Sequence, residues 1–342
     1  ADLELSQPMP TLHAGLRYSE ALLLIRLHSY PIAHVALSLD RPWTPDELSE
    51  ELWQHLAPSI NTFLKRYGLA PAASLTDPRL EELGLSLIAK RNAFRARAPF
   101  ASVVICTRDR AESLERCLES VVALDYPKFE IILVDNAPKT DDTKRVVEKF
   151  KARGFEMRYI LEPTPGLSVA RNTALRHIKG EFMACIDDDE AADKYWLLEL
   201  AQAFERSENV TAVSSVIVPA ELETQAQVWF EEFGGHSKGR GFTPDMFNIT
   251  THYKQSPLFP VPPFGTGGSM AFNTKAIRKI GFDITLGAGT PVQASEDTAA
   301  FFDVLMAGQL LRLRGQGGGV QEALRHFLRF GVGAHQRGKA ER

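Results

Sequence analysis

Asp187, Asp188 and Asp189 stand in a row directly after the apolar run Phe182 to Ile186. That run reads as a strand, which sets the acids where a strand leaves its sheet, the edge at which open α/β sheets bind ligands. Adjacent carboxylates repel one another and raise each other's pKa unless a positive charge sits among them. A divalent cation answers that need, and magnesium or manganese suits hard oxygen ligands while leaving positions open for phosphate oxygens. The alternative is a solvated acidic turn capping the next helix, read as Ala191 to Arg206, because a helix N-terminus favours negative charge.

Further residues able to do chemistry fall after other apolar runs. Thr107-Arg108-Asp109-Arg110 offers a hydroxyl, guanidinium groups and a helix start, a combination suited to phosphate, or simply a surface cap. Asp135 follows the next strand, where a carboxylate accepts hydrogen bonds from a ribose or base edge; an ordinary turn aspartate is the plainer reading. Arg171, one turn into a helix that starts near Leu167, could reach a diphosphate or merely sit on the helix surface. Glu296 and Asp297 open the helix Thr298 to Ala307 and gain from its dipole in any case. Together, one acidic group for metal and diphosphate and a second to take a proton from a hydroxyl make a kit for moving a group off a nucleotide diphosphate.

These residues need a frame. From Phe100 onward, strands alternate with helices, the pattern of a mostly parallel sheet. The strands are Ala101 to Cys106, Ile131 to Val134, Met157 to Leu161, Glu181 to Ile186 and Thr211 to Pro219. Helices follow: one capped by Asp109 and running to Leu124, one from about Asp141 to Lys151, and one from Leu167 to Lys179. Glu221 to Lys254 is aromatic and glycine-containing, and Leu258 to Phe264 carries Pro260, Pro262 and Pro263, so this stretch is either a substrate-facing loop or a packed connection. Before Phe100, two β-prone runs, Ala21 to Leu27 and Ile32 to Leu39, flank Ser29-Tyr30-Pro31 as a hairpin. Thr44-Pro45-Asp46-Glu47 then has capping-box form and opens a helix towards Tyr67, and Asp77 to Arg97 reads as another helix. The expected division is a strand-and-helix module over residues 1–97, an α/β domain over 98–310 and a basic segment over 311–342.

Composition narrows the classes. With 342 residues, 44% of them hydrophobic, the chain can bury a full core. A formal charge of −4 lacks the basic face that nucleic acid requires. The basic C-terminal segment suits peripheral contact with anionic lipid, or plain solvation. Cys106, Cys117 and Cys185 show no paired spacing and read as reduced thiols of a cytoplasmic protein. Ala1 to Pro10 does not read as a secretory leader, and Ala21 to Leu39 is too interrupted to span a membrane. No histidine or cysteine spacing suggests zinc.

Taken in order, the motifs resemble glycosyltransferase family 2 with the GT-A fold over roughly residues 100–310. They are Val103 to Arg110, Tyr126-Pro127 with Glu130 to Asn136, Pro165 to Asn172, the acidic triplet, Gly265 to Phe272, Gly281-Phe282-Asp283 and Ser295-Glu296-Asp297. The resemblance implies an inverting transferase that uses a nucleotide sugar, uridine diphosphate being the family's commonest donor nucleotide, and manganese or magnesium. It implies donor binding by Thr107, Arg108, Asp135, Arg171, Asp187 and Asp188. Asp187 and Asp189 match the acids of the DXD metal motif, with Asp189 the direct ligand. Asp297 matches the general base, with Glu296 beside it as second choice. The acceptor stays open: a saccharide, a lipid or a small molecule.

Two departures from the family pattern stand out. After Gly308 the family continues with an apolar-aromatic-Glu-Pro strand and a histidine that can complete the metal site. This chain has Leu310 to Gly319 there, with no such strand in the sequence and His326 a poor substitute. The N-terminal module is the second departure. A nucleotidyltransferase would carry a glycine-rich, lysine-bearing loop after its first strand, which Thr107 to Arg110 lacks. A non-catalytic nucleotide-sugar or protein-binding module on the same fold is the other alternative.

Overall fold

Strand order is what gathers the acids. The computed structural model describes residues 1–15, 17–205, 209–236, 242, 245–247, 265–307, 310–313 and 327–330. Two compact units divide the chain at Arg97 and Ala98.

In the first unit, β1 (Asp2–Glu4), β2 (Glu20–Leu27) and β3 (Tyr30–Ser38) form a sheet in the order β1-β2-β3. Leu27 pairs with Tyr30, so the hairpin turns on His28-Ser29, one position before the expected Ser29-Tyr30-Pro31. Both turn residues have positive φ, 48° and 68°, which matches the right-handed twist of the strands they join. Helix α1 (Pro45–Arg66) starts at Thr44, whose side chain and Glu47 complete the expected capping box. Its Leu48, Leu52, Leu56, Ile60 and Phe63 recur on one face and are buried. Helix α2 (Pro78–Arg95) adds Leu80, Leu83 and Leu87 to the same core.

The second unit is built on β4 (Ala101–Thr107), β5 (Phe129–Asn136), β6 (Met157–Glu162) and β7 (Phe182–Asp187), all parallel. β4 and β7 are apolar and buried almost end to end, as strands covered on both faces must be. Between the strands lie α3 (Ala111–Val122), α4 (Asp142–Ala152) and α5 (Leu167–His177). β8 (Glu190–Ala192) and α6 (Trp196–Phe204) come next, so the single helix expected from Ala191 is shortened by a small strand. The expected strand Thr211 to Pro219 is two, β9 (Val210–Ser214) and β10 (Val216–Pro219), lying in different sheets. After α7 (Gln225–Glu232) come β11 (Asp245–Phe247), β12 (Ser269–Asn273), α8 (Thr274–Ile280), α9 (Glu296–Met306), β13 (Leu310–Leu313) and β14 (Phe327–Phe330).

The large sheet runs β11-β13-β9-β12-β7-β4-β5-β6, and a smaller one runs β10-β14-β8. β13 fills a sheet position, paired parallel to β9 and antiparallel to β11. A last strand is therefore present where the sequence lacks the family's usual one; backbone pairing needs only an apolar run of extended chain. Most of the proline- and glycine-rich stretch from 237 to 264, His326 and most of the basic segment lie outside the described residues. Among the described residues, no helix is long and apolar enough to cross a membrane.

Candidate functional site

Strand direction reverses its walk across the sheet between β4 and β7: β5 and β6 extend to one side of β4, while β7 lies on the other. Ligands bind at such a switch point, outside the carboxyl ends of the strands. Thr107 ends β4, Asp135 lies near the end of β5, and Asp187 ends β7 opposite Cys106. The acids of the triplet therefore leave the sheet at the crevice.

The side chains form two charge networks. In the first, the Arg171 guanidinium, 2% exposed, donates to Glu296 Oε1 at 2.6 Å and to Asp187 Oδ1 at 3.5 Å. It also reaches the Gly267 carbonyl at 3.4 Å. The Gly267 amide donates to Asp297 Oδ2 at 2.6 Å, and Asp297 Oδ1 accepts from the Thr298 amide, also at 2.6 Å. Asp187, Arg171, Glu296 and Asp297 are thus tied together through one backbone unit. In the second network, Thr107 Oγ1 donates to Asp188 Oδ2 at 2.6 Å, and Arg110 donates to Asp188 Oδ1 at 2.7 Å and to Asp189 Oδ2.

Local packing holds these groups in place. Ser269 anchors the Gly265-to-Ser269 turn: its carbonyl accepts from the Ser215 amide at 3.1 Å and from Ser214 Oγ at 2.9 Å, and its hydroxyl accepts from Trp196 Nε1 at 2.9 Å. A Cβ on Gly267 would lie 3.0 Å from Arg171 Nη2 and 3.2 Å from Asp297 Cβ, so glycine lets the backbone come between them. Leu286 and Phe282, from the segment before α9, bind α5 through Ser168 and Asn172. Asp109 does not cap α3 as expected. It has φ 55°, its carboxylate accepts the Lys139 amide at 2.7 Å, and Arg110 takes the N-cap position without a side-chain cap bond.

Electrostatics follow from burial. Burial pushes the Asp188 carboxyl up to about 7 against the pull of Arg110 and Thr107. Burial raises Asp187 to about 6 while Arg171 opposes it, and the 39% of the Asp187 side chain left open tempers the rise. Glu190, directly after the triplet, is 3% exposed, and its Oε2 has no hydrogen-bond partner among the described residues; burial lifts it well above the usual carboxylate range. Its role was not assigned from the sequence, where nothing distinguishes it from a solvated acid. Asp135 is fully buried, accepts from the Tyr159 phenol at 2.8 Å, has no donor on Oδ1 among the described residues, and is raised by burial.

The structure therefore brings together seven of the nine sequence-chosen residues in two networks. Arg108 stands apart: its side chain is 43% exposed and lies 4.0 Å from Asp109. Asp135 is one strand away beside Tyr159. Arg171 is neither on the helix surface nor open to a ligand; it is enclosed by acids. Arg110 carries the second network, although the sequence showed only that a guanidinium was near.

Within the triplet, Asp187 and Asp189 are the acids whose oxygens could take a metal. Asp188 uses both oxygens and is buried, whereas Asp189 has one oxygen with no partner among the described residues. Among the described residues, no group of three or more His, Cys, Asp or Glu could hold a metal ion. Two carboxylates completed by water and phosphate oxygens suit magnesium or manganese, which are seldom caged by protein alone. Cleft size does not mark this place. A cleft of about 860 Å³ opens at the amino ends of β5 and β6, among Lys128, Glu130 and Arg158. Another of about 540 Å³ lies at their carboxyl ends against Tyr159 and Leu161.

Comparison with known proteins identifies the family. The sequence model for glycosyl transferase family 2 matches residues 102–281. The chain belongs to that family and has its GT-A fold. A glucosyl-dolichyl phosphate glucuronosyltransferase of Haloferax volcanii is 27% identical over 177 residues, 51% of this chain and 56% of that protein. The glycosyltransferase AglE of the same organism is 32% identical over 102 residues, 29% of this chain and 33% of that one. This chain thus spans little more than half of one of these relatives and a third of the other. The mannosyltransferase PcManGT of Pyrobaculum calidifontis, solved with GDP-Man and Mn2+, aligns with a TM-score of 0.48 at 21% identity, over 74% of this chain and 65% of that one.

Proposed function

We propose that this chain transfers a sugar from a nucleotide-diphosphate sugar to an acceptor hydroxyl, with inversion at the anomeric carbon. The observation that carries the reading is the placement of Asp187 and Asp297 on one brace, Arg171 and Gly267, at the switch point between β4 and β7. A donor-side acid and a base-side acid are thereby fixed in one crevice.

Asp297 is the base. Its carboxylate is oriented by the Gly267 and Thr298 amides and is partly open, while Glu296 is buried and committed to Arg171. Asp297 takes the proton from the acceptor hydroxyl, and the freed oxygen attacks the anomeric carbon from the face opposite the diphosphate. Asp187 and Asp189 would hold magnesium or manganese, which supplies positive charge against the charge that grows on the departing diphosphate. The Oδ1 of Asp135, with no partner among the described residues, suits an N–H or O–H of the nucleoside, and Thr107 and Asp188 are bonded to each other where β4 and β7 end. A uridine diphosphate sugar is the first donor to try.

Purified protein incubated with a panel of nucleotide sugars and Mn2+ or Mg2+ tests the reading. Slow hydrolysis of one donor, lost in Asp189→Ala and Asp297→Ala, is expected. Nucleotide binding without turnover by any donor and acceptor would instead favour a binding module, and no nucleotide binding at all would sink the assignment.

A further inference from the structure

Arg110 follows Thr107 by three residues, so the end of β4 and the start of α3 place its guanidinium over the acids that leave β7. One guanidinium holds two successive carboxylates, Asp188 Oδ1 at 2.7 Å and Asp189 Oδ2. The two ends differ. Asp188 is 3% exposed and also accepts from Thr107, so both its oxygens are used and it is a fixed anchor. Asp189 is held by Arg110 alone among the described residues, and 39% of the Arg110 side chain remains open. The Asp188 contact is therefore the durable one, because partly exposed ion pairs contribute little.

We propose that Arg110 is the resident cation of Asp189 in the metal-free protein and competes with a divalent metal for it. On metal binding, Arg110 releases Asp189, pivots on Asp188 and turns its free arm to the diphosphate oxygens of the donor. This inference rests on the placing of a metal at Asp187 and Asp189 in the proposed function. A guanidinium and a divalent ion repel each other when they share a carboxylate, so neither binds Asp189 fully while the other is there. A planar guanidinium released beside a diphosphate can bind it through two parallel hydrogen bonds. Metal alone then binds weakly, and metal and nucleoside diphosphate strengthen each other, a coupling that is reciprocal by linkage.

The experiment is a titration with Mn2+, following free ion by electron paramagnetic resonance, on wild type, Arg110→Met, Arg110→Lys and Asp189→Asn, each without and with uridine diphosphate. Circular dichroism of each variant confirms the fold. Arg110→Met is expected to bind Mn2+ alone up to about fivefold more tightly than wild type, the order of one lost, partly exposed ion-pair competitor. It is also expected to lose about tenfold of the strengthening that uridine diphosphate gives. Arg110→Lys, which keeps the charge but not the fork, should fall between them. Equal or weaker Mn2+ binding in Arg110→Met, with binding still lost in Asp189→Asn, overturns the competition and leaves the metal assignment standing. Failure of every protein to bind Mn2+ even with nucleotide overturns both.

Discussion

Replacing Arg171 by Met removes a charge from the centre of the first network while keeping a side chain of similar length. Arg171 is 2% exposed and Glu296 is 9% exposed, with 2.6 Å between Nη1 and Oε1. Met can still pack towards Phe282, whose ring centre lies 5.6 Å from the guanidinium carbon. What remains is a buried Glu296 carboxylate without its cation, a change that costs about 3–5 kcal/mol. Glu296→Gln is milder, about 1.5–3 kcal/mol, because Arg171 retains Asp187 at 3.5 Å and the Gly267 carbonyl. In Arg171→Met/Glu296→Gln neither charge of that pair remains, so the cost should fall short of the sum of the singles by about 1–3 kcal/mol. Urea unfolding followed by tryptophan fluorescence reads these values, since Trp196 is fully buried in the same unit. If Arg171→Met lies within about 1 kcal/mol of wild type, or if the singles simply add, Arg171 is not the brace described.

His34 of the first unit is held down to about 4 by burial, with Asp2 pulling the other way. Its folded value lies below the unfolded one, so the unfolded chain takes up a proton that the folded one refuses, and this unit loses stability as pH falls from 6.5 towards 4. The gap bounds that loss at about 3 kcal/mol. His34→Gln should flatten the window, and an unchanged pH profile of unfolding in that variant would refute the cause. At Gly268, an added Cβ would lie 2.0 Å from Glu190 Oε1, so Gly268→Ala should cost about 1–3 kcal/mol. Gly268→Ala/Glu190→Asp should recover most of it in a thermal melt, because the shorter acid withdraws from the contact.

Much of the frame was legible because parallel strands buried on both faces must be apolar throughout. Ala101–Thr107 is one residue longer than the expected strand, and Phe182–Asp187 is shifted by one residue at each end. What the sequence hid depends on distant partners. Val210–Ser214 and Val216–Pro219 read as one strand until Ser214 and Ser215 are seen bonded to Ser269. Glu190–Ala192 reads as the start of a helix until its pairing with Phe327–Phe330 is known. The site behaved likewise. Asp187, Asp188 and Asp189 announced themselves by repetition, but a buried Arg171 and a surface arginine have the same sequence signature, and only tertiary packing separates them.

That separation explains how so many acids tolerate one crevice. Asp187, Asp188, Asp189, Glu190, Glu296 and Asp297 meet only Arg110 and Arg171 in the two networks. The fold divides the load by depth. Arg171, itself 2% exposed, holds Glu296 and reaches Asp187 from inside α5, where it cannot leave without stranding the buried Glu296 carboxylate. Arg110 covers Asp188 and Asp189 from the rim, where it can move. Backbone amides, which carry no net charge, serve Asp297. Glu190 has no cation partner among the described residues, and burial holds it well above the usual carboxylate range. Six acids against two guanidinium groups leave a surplus of negative charge, and Asp187 and Asp189, the two acids of the triplet still open to solvent, are where the proposed metal would offset it.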